Sequence, residues 1–323
     1  MIEKLKIHNK LLFLVAVILF LIAIYFLYSQ ISARSEEFST IKISLYDTKF
    51  NIALVLLFVF QFINWLLEAM KLKLLLSLES SVSLKKALVA VYVGNFTAFF
   101  TPDRLGTFIG RFLVINELNK LKVTALTAIG NLSQLIITVG FGLISFLAVT
   151  FSKKSYVQFD SLLLFVLVVV FIFLFIALFW LYINPYILLN KLKKWRFFQS
   201  YVQRLSSLKD LVLSIKLKVL FFSFLRFVVF YFQYLIIIEY LNLNFHFLDT
   251  LYFIGILYGL ITFIPSPFLG NFGTREALAL YLTSYSVIGV FGPFISFFVW
   301  LINVGVSTAI GGILLTLSKV KSN

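Results

Sequence analysis

The sequence predicts an all-α membrane protein with about six transmembrane helices and two re-entrant helical hairpins arranged as inverted repeats. Three observations predict it. Of 323 residues, 61% are hydrophobic and 13% charged, with a mean hydropathy of +1.03. A soluble domain is about 45–50% apolar and about 25% charged, so this chain has too little polar surface to cover a water-facing globule. Apolar runs close to the roughly 20 residues needed to cross hydrocarbon recur along the whole length. Two shorter apolar stretches break at proline and glycine, which is tolerated at membrane depth only where protein or a wet cavity surrounds the break.

The spanning runs are Leu11–Tyr28, Asn51–Leu67, Val123–Phe151, Ser161–Ile183, Val219–Ile238 and Phe294–Leu317. The first follows Lys4, Lys6 and Lys10. It has spanning length and no clean small-residue cleavage site after it, so it reads as an uncleaved helix rather than a signal peptide. The two interrupted stretches are Ala87–Thr101, ending at Pro102, and Thr250–Ile264, ending at Pro265, with a second arm from Glu276 to Gly292. Residues 1–323 form one multipass membrane domain, with a basic segment, Tyr186–Lys218, inside it.

Basic loops set the orientation. The N-terminus, Lys71–Lys86, Tyr186–Lys218, Lys319 and Lys321 are expected on the cytoplasmic side, in the inner membrane of a cell. Ser29–Lys49, which mixes both signs, Glu239–Asp249, and the short loop holding Lys153 and Lys154 are expected outside. This pattern makes the first hairpin enter from the cytoplasm and the second from outside. Within Tyr186–Lys218, Trp195, Phe198, Tyr201, Leu205, Leu208 and Leu211 recur at helical spacing, which describes a helix lying in the membrane interface.

A net charge of +15 would suggest nucleic acid in a soluble protein, but here it sits in loops between apolar spans. Positive-inside bias and anionic headgroups account for it, and no nucleic-acid-binding motif accompanies it. With no Cys, disulfides, thiolate metal sites and cysteine nucleophiles are excluded; two distant His, His8 and His246, argue against a metal centre. The sequence calls for no cofactor.

The chemistry concentrates at the breaks. In the second, Pro265 and Pro267 end the incoming helix, Gly270 and Gly273 permit unusual backbone, and Thr274 suits the cap of the next helix. A helix N-terminus with Arg275 beside it is suited to a phosphate, and Glu276 either orients that arginine or simply neutralises it. In the first, Pro102 ends the helix, and Arg104 and Arg111 flank Gly106 and Gly110, whose GxxxG spacing also fits a close helix contact. Asp103 has either arginine available as a partner. Arg226, inside a span, demands a carboxylate, for which Glu68 and Glu276 both qualify. Asn64, Asn95, Asn131, Gln134, Gln233 and Asn303 read as interhelical hydrogen-bond glue.

These features favour a flippase-like protein that binds an anionic phospholipid or lipid-linked phosphate through Arg104, Gly106, Arg111, Pro265, Gly270, Gly273, Thr274, Arg275 and Glu276. A membrane transferase acting on a lipid-linked substrate is the rival, and its only acid candidates, Asp103 and Glu276, lie on separate hairpins. A non-catalytic partner that anchors another enzyme through the basic segment is a third reading. No catalytic triad, HExxH or nucleotide-binding loop is present.

The Thr-Pro-x-Arg-x-Gly string at 101–106 with Arg111 following, and Pro-x-Pro-x-x-Gly-x-x-Gly-x-Arg-Glu at 265–276, resemble the transmembrane region of the lysylphosphatidylglycerol synthase family. The resemblance implies a bacterial or archaeal multipass protein linked to moving lipids or lipid-linked sugars between leaflets. Members of that family carry Glu after the first glycine, where this chain has Thr107. Synthase members also carry a soluble aminoacyl-transferase domain after the membrane part, whereas this sequence stops at Asn323; lysyl transfer is therefore not expected of it.

Overall fold

The computed structural model describes residues 47–152, 160–187, 211–266, 269–284, 286 and 288–320, with isolated helical positions between 18 and 32. Most of the predicted first span, the loop that follows it, Lys153 and Lys154, the core of the basic segment at 188–210, Pro267, and the two termini lie outside the described residues. Every regular element among the described residues is helical.

The helices are α1 (Thr48–Leu76), α2 (Leu84–Phe99), α3 (Gly106–Val114), α4 (Lys120–Ser152), α5 (Ser161–Ile183), α6 (Leu213–Tyr240), α7 (Phe247–Ile261), α8 (Thr274–Thr283), α9 (Phe291–Trp300) and α10 (Val306–Val320). A single π turn, Leu301–Gly305, joins α9 to α10. Side-chain oxygens start several of them: Asp47 accepts from Lys49 N at 3.0 Å, Ser83 from Lys86 N at 3.2 Å, Asn119 from Leu121 N at 2.9 Å and Asp160 from Leu162 N at 3.2 Å.

Among the described residues, five helices are long and apolar enough to span a bilayer: α1, α4, α5, α6, and the continuous α9–α10 rod. They match the predicted runs, with one informative difference. The predicted second span stops at Leu67, but α1 continues to Leu76 and takes Glu68 and Lys71 with it, both buried. The helix tolerates these charges because they pair one turn apart, with Lys71 Nζ 2.7 Å from Glu68. By contrast α2 and α3, of 16 and 9 residues, and α7 and α8, of 15 and 10, are each too short to cross about 30 Å at 1.5 Å per residue.

Helix α1 packs along α6 and α2, α4 along α5 and α7, and α10 along α2. Two apolar cores result. One gathers Trp65, Leu72, Leu75, Ala90 and Leu126; the other gathers Phe146, Phe171, Tyr234, Ile254 and Ile295. Helix α5 is the outlying element, with Leu162, Phe165 and Phe173 about 70% exposed. Such a surface is stable against lipid tails and would aggregate in water.

Candidate functional site

The two breaks are built alike and meet. Helix α2 stops at Phe99 and the chain makes a 3-10 turn over Pro102–Arg104. Asp103 and Arg104 there adopt left-handed φ values of 46° and 59°. Such backbone in non-glycine residues is costly, and it gathers at functional sites when the surroundings enforce it. Helix α3 then folds back on α2 so closely that a Cβ on Gly106 would lie 2.1 Å from Thr97 O. The GxxxG of Gly106 and Gly110 is therefore a helix–helix contact.

At the second break α7 ends at Ile261, Pro265 follows, and a 3-10 turn covers Leu269–Asn271. Leu269, Gly270, Asn271 and Gly273 all have positive φ. Helix α8 is capped by Gly273, not by Thr274, which is its first helical residue. Glu276 does the capping, accepting from Gly273 N at 2.7 Å, while the Thr274 hydroxyl donates to Asn271 O. The tips join through Asp103 and Ser266: Asp103 N donates to Ser266 O at 2.9 Å, and Ser266 N donates to the Asp103 carboxylate at 2.7 Å. Asp103 thus turns to the opposite tip rather than to an arginine.

Beside this junction lies a cavity of about 480 Å³, partly open to its surroundings. Arg104, Arg111 and Arg226 line it with Glu68 and Asp103, and Phe108, Phe227, Phe230 and Leu135 form apolar wall. Trp65 and Phe227 bring one residue from each apolar core. Arg226 stands at the middle of α6, so the cavity sits level with the centre of a spanning helix.

Glu68 organises the charges. Its carboxylate accepts from Arg111 Nη2 at 2.7 Å, from Arg226 Nη1, and from Lys71 Nζ at 2.7 Å. Arg226 Nε also donates to Asn64 Oδ1 at 2.8 Å, and its guanidinium lies 5.3 Å from the Trp65 ring centre. Arg104 is half-buried and donates to Asn95 Oδ1 at 3.3 Å. One buried carboxylate thus faces three buried cations, and a buried charge without a counter-charge is expensive. Two donors on the lining residues, Arg111 Nε and Asn95 Nδ2, have no hydrogen-bond partner. Together these features give the cavity a wall rich in positive charge.

Of the residues marked in the sequence, the structure brings Arg104 and Arg111 to the cavity wall, while Gly106, Pro265, Gly270, Gly273, Thr274, Arg275 and Glu276 stand outside it. Arg275 is buried one layer behind. It pairs with Glu276, donates from Nε to Ser296 Oγ at 2.9 Å and lies 6.0 Å from the Trp300 ring centre. A hydrogen-bonded chain runs from Ser296 through Tyr234 to Tyr258, which lines the cavity. Thr107, where the resembled family carries Glu, is buried in the cavity wall.

Glu68, Lys71 and Arg226 are the site residues that the motif search left unassigned. Arg226 carries a signal as a charge inside an apolar run that needs a carboxylate, whereas Glu68 and Lys71 fall beyond the predicted end of their span at Leu67; which carboxylate Arg226 takes depends on the packing of α1 against α6. The amides behave as glue: Asn64 Nδ2 donates to Asn303 Oδ1 at 3.2 Å, and Asn303 Nδ2 to Gln233 Oε1 at 2.8 Å.

No curated protein and no solved structure matches the chain. The sequence profile described as the lysylphosphatidylglycerol synthase TM region matches residues 11–311, spanning both breaks and every cavity-lining residue. The chain is therefore a multipass membrane protein that belongs to the lysylphosphatidylglycerol synthase TM region family.

Proposed function

We propose that this protein binds the anionic headgroup of a phospholipid or lipid-linked phosphate in the arginine cavity and carries it between leaflets. The observation that supports this reading is the cavity wall itself, where Arg111 and Arg226 share one buried carboxylate and Arg104 stands beside them, at the level of a helix centre. Arg104 and Arg111 contact the headgroup in this scheme together with Arg226, and Thr107 and Asn95 shape the pocket. Arg275 and Glu276 hold α8 and support the wall through Tyr258, with Gly270, Gly273 and Thr274 shaping the tip and Pro265 ending α7. The apolar residues Phe108, Phe227 and Phe230 receive the upper part of the chains.

In this scheme both termini are cytoplasmic in the cell membrane, and the first predicted span completes six. The α2–α3 hairpin enters from the cytoplasm and the α7–α8 hairpin from outside, as inverted repeats. Transport needs the cavity to open to each leaflet in turn, by movement of one hairpin against the other at the Asp103–Ser266 junction.

The test is headgroup translocation of a fluorescent anionic lipid in liposomes holding the purified protein. Faster translocation with protein than without is expected, reduced at least about tenfold in Arg104→Gln, since a lost charge-assisted contact is worth about 1.5–3 kcal/mol. Arg104 is the safest arginine to change because it is half-buried and its hydrogen bond is to an amide. Equal rates with and without protein reject transport, and an unaffected variant rejects the site.

A further inference from the structure

We infer that the cavity selects a doubly charged phosphate group, a phosphomonoester or diphosphate, over the singly charged phosphodiester of an ordinary anionic phospholipid; the inference rests on the anion-binding reading above. Charge balance carries it. Lys71, Arg111 and Arg226 bring three positive charges to the one negative charge of Glu68, all four residues being less than 10% exposed. Arg104 adds one more, offset by the exposed Asp103 beside it. The neighbouring Arg275–Glu276 pair is neutral as a unit. Counted with Lys71, which pairs with Glu68 from outside the cavity lining, the cluster therefore holds two positive charges in excess, in surroundings where charges are poorly screened.

Each class of headgroup meets that excess differently. A zwitterion brings no net charge and leaves it standing. A phosphodiester cancels half, and a phosphomonoester in its dianionic form cancels all of it. Hydrogen-bond geometry points the same way. A monoester offers three terminal oxygens where a diester offers two, and the cavity wall carries three guanidinium groups, those of Arg104, Arg111 and Arg226. The apolar wall of Phe108, Leu135, Phe227 and Phe230 is suited to an attached hydrocarbon chain, although a soluble phosphate ester shares the same charged group.

The experiment titrates the full-length protein in detergent at pH 8 with four probes and reads dissociation constants by thermophoresis. They are dioctanoyl phosphatidic acid, dioctanoyl phosphatidylglycerol, dioctanoyl phosphatidylcholine and glycerol 3-phosphate. Phosphatidic acid is expected to bind at least about tenfold tighter than phosphatidylglycerol, the scale of one uncancelled charge at short range, and phosphatidylcholine weakest of all. Arg104→Gln lowers the affinity for phosphatidic acid, whereas Asp103→Asn, which keeps an oxygen for Ser266 N, raises it. Glycerol 3-phosphate binding as tightly as phosphatidic acid supports the dianion and assigns a soluble ester as its source; binding far more weakly supports the dianion on a lipid. Equal affinity for phosphatidic acid and phosphatidylglycerol overturns the dianion inference while leaving anion binding intact. Phosphatidylcholine binding as tightly as both overturns anion binding itself. Unchanged selectivity in both variants removes the effect from this cavity.

Discussion

Glu68 is the residue on which the buried charges depend. It neutralises part of a cluster that otherwise sets Lys71, Arg111 and Arg226 side by side. Removing one partner from such a cluster leaves uncompensated charge in a medium that solvates it poorly. Glu68→Gln keeps the shape and loses the charge, and is expected to destabilise the protein by about 3–5 kcal/mol, read as a lower thermal unfolding midpoint in detergent. Glu117 offers a contrast at the surface. It lies in the loop between α3 and α4 and pairs with Lys86 at the start of α2, and the hydrogen bond from Lys86 holds its carboxyl below the usual carboxylate range. A carboxyl depressed in the folded state contributes stability that is complete above its unfolded value and fades as pH falls through its folded one. The unfolding midpoint should therefore drop slightly from about pH 5 downward, and Glu117→Gln should lose that component of the pH dependence. At this scale the sequence was half legible. Arg226 announced itself as a charge inside an apolar run, but nothing local distinguishes Glu68 from Glu276 as its partner.

Among the elements, the long helices were readable because hydrocarbon thickness dictates their length, and Ser161–Ile183 matches its predicted bounds. The continuation of α1 past Leu67 was hidden, because Glu68 and Lys71 look like a loop until their partners on α3 and α6 are in place. The hairpins were marked by Pro102 and Pro265, whose missing N–H and fixed φ stop a helix wherever they stand. What proline does not reveal is that the stopped ends touch; the Asp103–Ser266 bonds are a tertiary fact. The α2–α3 hairpin depends on close approach at its glycines. A Cβ on Gly110 would meet Val93 O and the Thr97 hydroxyl at 2.5 Å, and backbone there cannot move aside cheaply. Gly110→Ala should therefore cost about 1–3 kcal/mol of stability and, by displacing the neighbouring Arg111, weaken anion binding as well. A variant as stable as the parent would show that the hairpin is looser than this packing implies.

For the whole molecule, the arrangement is one in which apolar helices surround a small, partly open charged space. Phe171, Phe146 and Tyr234 fill one core and Trp65, Leu72 and Leu75 the other, leaving the arginines where residues of both line the same cavity. Composition made the membrane class legible at once, and the breaks pointed to a polar interior. The cavity wall was less so, because it draws on α1, α2, α3, α4, α6 and α7, which only the fold assembles. The most direct measurement is an electron cryo-microscopy map of the protein in nanodiscs containing phosphatidic acid. The account predicts headgroup density bounded by Arg104, Arg111 and Arg226, absent when the lipid is phosphatidylcholine alone. Acyl-chain density in place of a headgroup between those three arginines, or phosphatidic acid bound only elsewhere, would contradict it.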